Sequence, residues 1–172
     1  MARDIRIRPY EAGDEAELSG VIRHTLRVSN SGEYSAAYIE ESVRSHTPEA
    51  IAAQAGEAHF HVACEGEKII GCGAITGYWG SETESYIMSV FVLPEYQGRG
   101  IGRRIMETLE GDPYFARARR TEVGSSLNAV GFYRRLGYTY KNGVTEPDEY
   151  QVVRLEKRKR QAREADGEAG RG

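Results

Sequence analysis

Three glycines at alternate positions, Gly98, Gly100 and Gly102, open a stretch that reads as an amphipathic helix, and their spacing suggests chemistry before anything else in the chain does. Glycines this dense leave backbone N–H groups unobstructed beside the positive end of a helix dipole, so the turn suits an anion such as a pyrophosphate. Two familiar phosphate loops are excluded. A P-loop needs Lys and then Ser or Thr after its last glycine, and here Gly102 is followed by Arg103 and Arg104. A dinucleotide fingerprint reads GxGxxG, whereas this turn reads GxGxG. The alternative is a glycine-rich turn that serves packing alone. Of the four histidines, His59 and His61 alternate on one face of a strand, but no metal-ligand set accompanies them and no metal is expected.

The elements around the turn must present it. VFVLPEYQGRGIG begins as the end of an apolar strand (Met88, Val90, Phe91, Val92), breaks at Pro94 and passes into IGRRIMETLEG, apolar at Ile101, Ile105, Met106 and Leu109. Upstream, IRIRPYE reads as an edge or near-edge strand, since Pro9 lies close to its end. A helix follows, with Asp14 as N-cap, Glu17 completing a capping box, and Leu18, Val21, Ile22, Thr25 and Leu26 at helical spacing. VSNSGEYS is a loop, SAAYIEESVRS a second helix, and Pro48 starts a third, PEAIAAQAGE. Three strands come next, HFHVACE, KIIGCGAITGYW and SYIMSVFV, as an antiparallel meander. If Glu65 pairs with Lys68, Cys72 sits opposite His61 and Cys64 points to the other face, so a disulfide is not expected. After the glycine turn and its helix, GDPYFARARR is a connection, RTEVG a brief strand, SSLNAVGFYRRLGYTY a helix closed by Gly137, and EYQVVRL the last strand.

Length and composition narrow the class. The chain has 172 residues, 40% hydrophobic and 28% charged, which fits one soluble domain. No apolar run approaches a membrane span, and MARDIRIRPYE lacks the apolar core of a signal peptide, so a cytoplasmic location is expected. From Glu156 onward six basic residues face four acidic ones, giving +2, while the body carries −5. An acidic body argues against a nucleic-acid-binding domain. Residues 1–155 read as one α/β (α+β) domain with a mixed, mostly antiparallel sheet flanked by helices, and 156–172 as a charged, disordered tail.

The strand, Gln97, two residues, Gly100, one residue and Gly102 together resemble the signature loop of the GCN5-related N-acetyltransferases. A second segment, SLNAVGFYRRLGY from Ser126 to Tyr138, resembles the second conserved block of that family, with its FY pair and terminal LGY. The resemblance extends from Ile5 to about Leu155, as a pattern only in the N-terminal third. It implies acetyl-CoA as co-substrate, with Gln97, Gly98, Arg99, Gly100, Ile101, Gly102 and Arg103 at the pyrophosphate. Backbone at Val90, Phe91 and Val92, where two strands part, would hold the pantetheine and help bind the carbonyl oxygen. One departure stands out: many members have Asn seven residues before the tyrosine, and here that position is Ser126, with Asn128 two residues on. Either could meet the pantetheine arm, and Asn128 is alternatively an N-cap.

The same resemblance gives Tyr133 the part of general acid toward the leaving thiolate, the alternative being a core aromatic beside Phe132. Amine acetylation also needs a base, and carboxylates are the usual agents. Glu84, just before the central strand, and Glu122, on the strand beside it, are the candidates by position, with Glu82 third; each is alternatively a solvated surface acid. The activity implied is transfer of an acetyl group to a primary amine by direct attack. A non-catalytic acyl-CoA-binding module is the rival, and a larger acyl donor a variant. The expected partners are an amine acceptor, small molecule or peptide, and a second copy of the chain; nucleic acid and membrane are not expected. The −5 body favours a cationic acceptor by steering.

Overall fold

The computed structural model describes residues 4–159. The tail expected over 156–172 therefore lies outside the described residues from position 160 on. Its first residues do not behave as expected: the last strand runs Val153–Arg158, so the ordered body passes the expected boundary at 155 by three residues. Lys157 Nζ donates to Glu110 at 2.8 Å and to Leu136 O at 2.8 Å, which fixes the strand end to two other elements.

Seven strands form one sheet in the order β1-β2-β3-β4-β5-β7-β6. β1 (Ile5–Pro9) is an edge strand, and β2 (His59–Glu65), β3 (Lys68–Gly77) and β4 (Glu84–Val92) make the expected antiparallel meander. β5 (Arg120–Ser125) lies parallel to β4, and β7 (Val153–Arg158) inserts between β5 and the two-residue β6 (Thr139–Tyr140), a strand the sequence did not announce. No helix among the described residues is long and apolar enough to cross a membrane.

α1 (Glu15–Ser29) buries Leu18, Val21, Ile22, Thr25 and Leu26, the expected stripe. Its expected capping box does not form. Asp14 is turned away to accept two bonds from Arg8 and one from Glu11 N, and Glu17 reaches across to accept from Ile69 N at 2.9 Å. Both acids are recruited by tertiary partners that a local pattern cannot show. α2 (Ala36–Ser45) and α3 (Pro48–Glu57) have working N-caps in Ser35 and Thr47.

α4 (Ile101–Glu110) packs on β3 where that strand carries Gly71 and Gly73. A Cβ at Gly73 would stand 2.6 Å from Ile105 and 3.1 Å from Leu109, so the glycines permit the close approach of helix and sheet. α5 (Pro113–Arg117) and α6 (Val130–Arg135) are short, and α6 is preceded by a 3-10 turn over Leu127–Ala129. Gly137 follows α6 with φ +96°, the expected terminator.

The β2–β3 register corrects one reading. Glu65 does pair with Lys68, but a bulge at Ala63/Cys64 shifts the ladder, and Cys72 lies opposite Val62 rather than His61. Val62 and Cys64 are two apart on one strand, so both cysteines now share a face instead of dividing between two. Both thiols are free and buried.

Candidate active site

β4 and β5 pair only from Glu84↔Arg120 to Ile87↔Val123, and beyond that point they part. The cause lies in β4 itself. Opposite β3, Ala74 pairs with Met88 but Cys72 pairs with Phe91, so β4 carries one extra residue, and Ser89 takes φ +56°. A bulge bends the strand that contains it and re-aims the residues beyond it. The bent segment is held from both sides: Cys72 Sγ donates to Ser89 O at 3.2 Å, and Ser89 Oγ donates to Gln54 Oε1 at 2.7 Å.

The departing half of β4 presents a free edge. Leu93 N donates to Ile70 O of β3, and Phe91 sits opposite Cys72, so by strand alternation the N–H groups of Val90 and Val92 point into the gap. Phe91 N–H faces β3, which removes it from the trio expected to hold a ligand by backbone. Val92 O faces the gap as well and accepts from Gln97 Nε2 at 3.0 Å. The same amide donates to Ser29 Oγ at 2.9 Å, so Gln97 braces the turn against the end of α1.

At the mouth of the gap stands the glycine turn. Gly98 and Gly100 have φ of +77° and +78°, a region that non-glycine residues avoid. Gly100 is the N-cap of α4 and brings the free N–H groups of the first helical turn to the gap. Gly102 is helical, and its reason differs: a Cβ there would meet the Phe132 ring at 3.1 Å, so it lets α4 and α6 touch. Arg103 is exposed and pairs with Glu107, while Arg99 lies over the Tyr96 ring.

The gap widens into a cleft of about 830 Å³. It is lined by Gln97, Gly98, Gly100, Ile101, Gly102 and Arg103 of the turn and α4, by Val90, Phe91 and Val92 of β4 with Ser126 and Asn128, and by Tyr38, His46 and Met88. Tyr133 is buried in the wall, and burial, with Tyr86 nearby, pushes its phenol well above the usual tyrosine range. No hydrogen bond to its hydroxyl occurs among the described residues. Asn128 is not the N-cap of α6, which is Ala129; its amide donates to Ser29 O at 3.2 Å and to Asn30. Tyr34, unnoticed in the sequence, donates to Gln151 O and accepts from Leu127 N, stitching the start of α2 to both later chain segments.

Glu84 and Glu122 are not on the cleft wall. They belong to an ion cluster on the paired part of β4, β5 and β7. Arg120 donates to Glu84 at 2.6 Å, to Glu122 at 2.8 Å and to Glu156 at 3.0 Å. Lys141 pairs with Glu122 at 2.7 Å, Arg154 stands 3.6 Å from its other oxygen, and Asp148 holds Arg154 at 2.7 Å. The Arg120 hydrogen bond holds the Glu84 carboxyl below its ordinary range. The expectation that either is the base is corrected on position: both are held in ion pairs away from the cleft wall.

Residues 56–140 match the acetyltransferase (GNAT) domain family, and this part of the chain belongs to it. Solved structures agree over nearly the whole length. PaiA N-acetyltransferase from Thermoplasma acidophilum, in complex with coenzyme A, superposes with a TM-score of 0.78 at 20% identity, covering 91% of this chain and 99% of that one. A GCN5-related N-acetyltransferase from Rhodopseudomonas palustris gives 0.74 at 20% identity, over 92% and 99%. PH1933 from Pyrococcus horikoshii gives 0.68 at 22% identity, over 92% and 100%. No curated protein matches the chain.

Proposed function

We propose that the chain is an acetyl-CoA-dependent N-acetyltransferase in which an amine attacks the bound thioester directly. One observation carries this reading: Tyr133 lines the same cleft as the free edge of β4 and the N-terminus of α4. The site fits the co-substrate on its own terms. Free N–H groups after Gly100 suit a pyrophosphate, and the N–H groups of Val90 and Val92 suit a pantetheine laid along β4 like an added strand. Acetyl-CoA, when bound, supplies an activated acetyl thioester.

The protein's residues do the rest. The free β4 edge holds the thioester in the cleft, where an N–H can bind the carbonyl oxygen as charge develops. Tyr133, kept protonated by its burial, donates its proton toward the leaving sulfur. Ser126 and Asn128 line the cleft and suit contact with the pantetheine arm. Among the described lining residues there is no Asp or Glu, so nothing on the wall would pair a second ammonium. We therefore read the acceptor as a monoamine, and the acidity of the body as a long-range influence only.

The rival, a non-catalytic acyl-CoA-binding module, gains one observation, the locking of Glu84 and Glu122 into ion pairs. Turnover separates the two. Thiol release from acetyl-CoA should rise on adding an amine from a panel of small monoamines, with N-acetylated product in equal amount. Tight acetyl-CoA binding without product from any amine would favour the module.

A further inference from the structure

With both carboxylates occupied elsewhere, the cleft must supply another group to receive the ammonium proton. One wall is built by a face of α2 and its C-cap: Tyr38, Ser42 and His46 line the cleft at four-residue intervals. His46 sits at the C-cap of that helix, and its ring lies edge-on to Phe91 with centroids 5.9 Å apart. It therefore stands beside the parting half of β4. Its backbone is fixed too, since Ser19 Oγ donates to His46 O at 2.7 Å.

The tautomer is set by geometry. His46 Nδ1 lies 2.7 Å from Ser42 O, and a carbonyl oxygen can only accept, so Nδ1 carries the hydrogen. In neutral imidazole the other nitrogen then holds a lone pair. That bond survives in both charge states, because Nδ1–H is present in the neutral ring and in the cation; only Nε2 changes. Among the described cleft-lining residues there is no second imidazole and no carboxylate, and the remaining titratable side chains are the phenols Tyr34, Tyr38, Tyr96 and Tyr133 and the guanidinium groups of Arg103 and Arg135.

We propose that His46 is the general base, taking the proton of the incoming ammonium on Nε2 while Ser42 O holds Nδ1–H. This rests on the acetyltransferase reading above and adds a residue to it. The balance closes. Nε2 takes one proton from the ammonium and later returns it to solvent. The amine nitrogen forms a bond to the carbonyl carbon, and the carbon–sulfur bond breaks with its electron pair going to sulfur. Sulfur takes a proton from Tyr133, and the second proton shed by the new amide nitrogen restores the phenol.

His46→Asn keeps an amide donor near the Nδ1 position and removes Nε2; His46→Gln places a non-basic amide near Nε2. The acceptor is the first amine among benzylamine, tyramine and hexylamine that the parent protein turns over, compared with its alkoxyamine counterpart, which is unprotonated at neutral pH. Both variants should lose roughly 10²-fold or more in kcat/KM with the amine, much less with the alkoxyamine, and keep the parent's acetyl-CoA affinity by calorimetry. A second readout needs no turnover: long-range proton–nitrogen correlation spectra of ligand-free, labelled protein at mildly alkaline pH should show the Nδ1–H tautomer for His46. If both variants turn over the amine like the parent, or lose amine and alkoxyamine turnover equally, or if the spectra show the Nε2–H tautomer, the assignment is overturned. Parent protein that turns over no amine at all brings down the acetyltransferase reading, and this one with it.

Discussion

Glu122→Gln distinguishes a structural carboxylate from a catalytic one. Glu122 is 2% exposed, and its oxygens serve Arg120 at 2.8 Å, Lys141 at 2.7 Å and Arg154 at 3.6 Å. Glutamine has the same shape and keeps one acceptor, but its NH₂ would face a cation, and a buried negative charge shared by three positive groups is gone. Removing one partner from a buried ion pair costs about 3–5 kcal/mol. Arg120 retains Glu84 and Glu156, and Arg154 retains Asp148, so the low end, about 3 kcal/mol, applies here. At roughly 2–4 °C per kcal/mol for a chain of this size, the melting temperature should fall by about 6–12 °C. Acetyl-CoA affinity, measured at a temperature where the variant is folded, should be unchanged. A variant melting within about 2 °C of the parent while kcat falls roughly 100-fold would refute this reasoning and restore Glu122 as the base.

Tyr133→Phe keeps the ring and removes only the hydroxyl, so kcat and kcat/KM should fall together by roughly 10²- to 10⁴-fold with little change in melting temperature; an unchanged kcat, with chemistry shown to be rate-limiting, would make the residue a core aromatic. Gly100→Ala meets no neighbour but must hold φ +78°, so it should cost about 1–2 kcal/mol in denaturant titrations and weaken acetyl-CoA binding in calorimetry, whereas Gly102→Ala has ordinary helical backbone and is opposed only by the Phe132 ring. A chain lacking Lys157–Gly172 should melt below one lacking only 160–172, because the first loses the Lys157 bonds to Glu110 and Leu136; equal melting curves would count against those bonds. Asp14 has its pKa lowered, chiefly by the Arg8 hydrogen bonds, so its contribution to stability is complete above the unfolded value near ~3.9 and is lost as pH falls toward the folded value; Asp14→Asn should flatten that part of the acid unfolding curve.

The features legible in the sequence were local. The stripe of α1, the three-strand meander, the glycine turn and the helix behind it each rest on spacing within a few residues, and the structure has them where the spacing put them. The pairing of Glu65 with Lys68 was likewise readable, but the bulge at Ala63/Cys64 was not, because nothing in HFHVACE or KIIGCGAI marks the residue that goes unpaired. The last strand began later than its pattern suggested. Asp148 gathers the N–H groups of Tyr150 and Val152 together with Arg154 into a turn, so the chain straightens only at Val153.

The misreading of Glu84 and Glu122 has the same physical origin as the success with the turn. An anion site made of backbone N–H groups depends on chain conformation, which glycine spacing encodes directly. A base depends on which charges stand beside it, and those come from Arg120, Lys141, Arg154 and Glu156, contributed by segments up to 72 positions from Glu84. Position on β4 or β5 said that a carboxylate would be near the centre of the sheet, and it is; only the fold says that it arrives there neutralised. The same contacts leave His46 as the imidazole on the cleft wall, on a helix whose sequence, SAAYIEESVRS, showed only its apolar face. The Tyr38–Ser42–His46 spacing is the signal that the apolar stripe hides, since the residues facing the cleft lie on the flank of the stripe that Ile39 and Val43 bury.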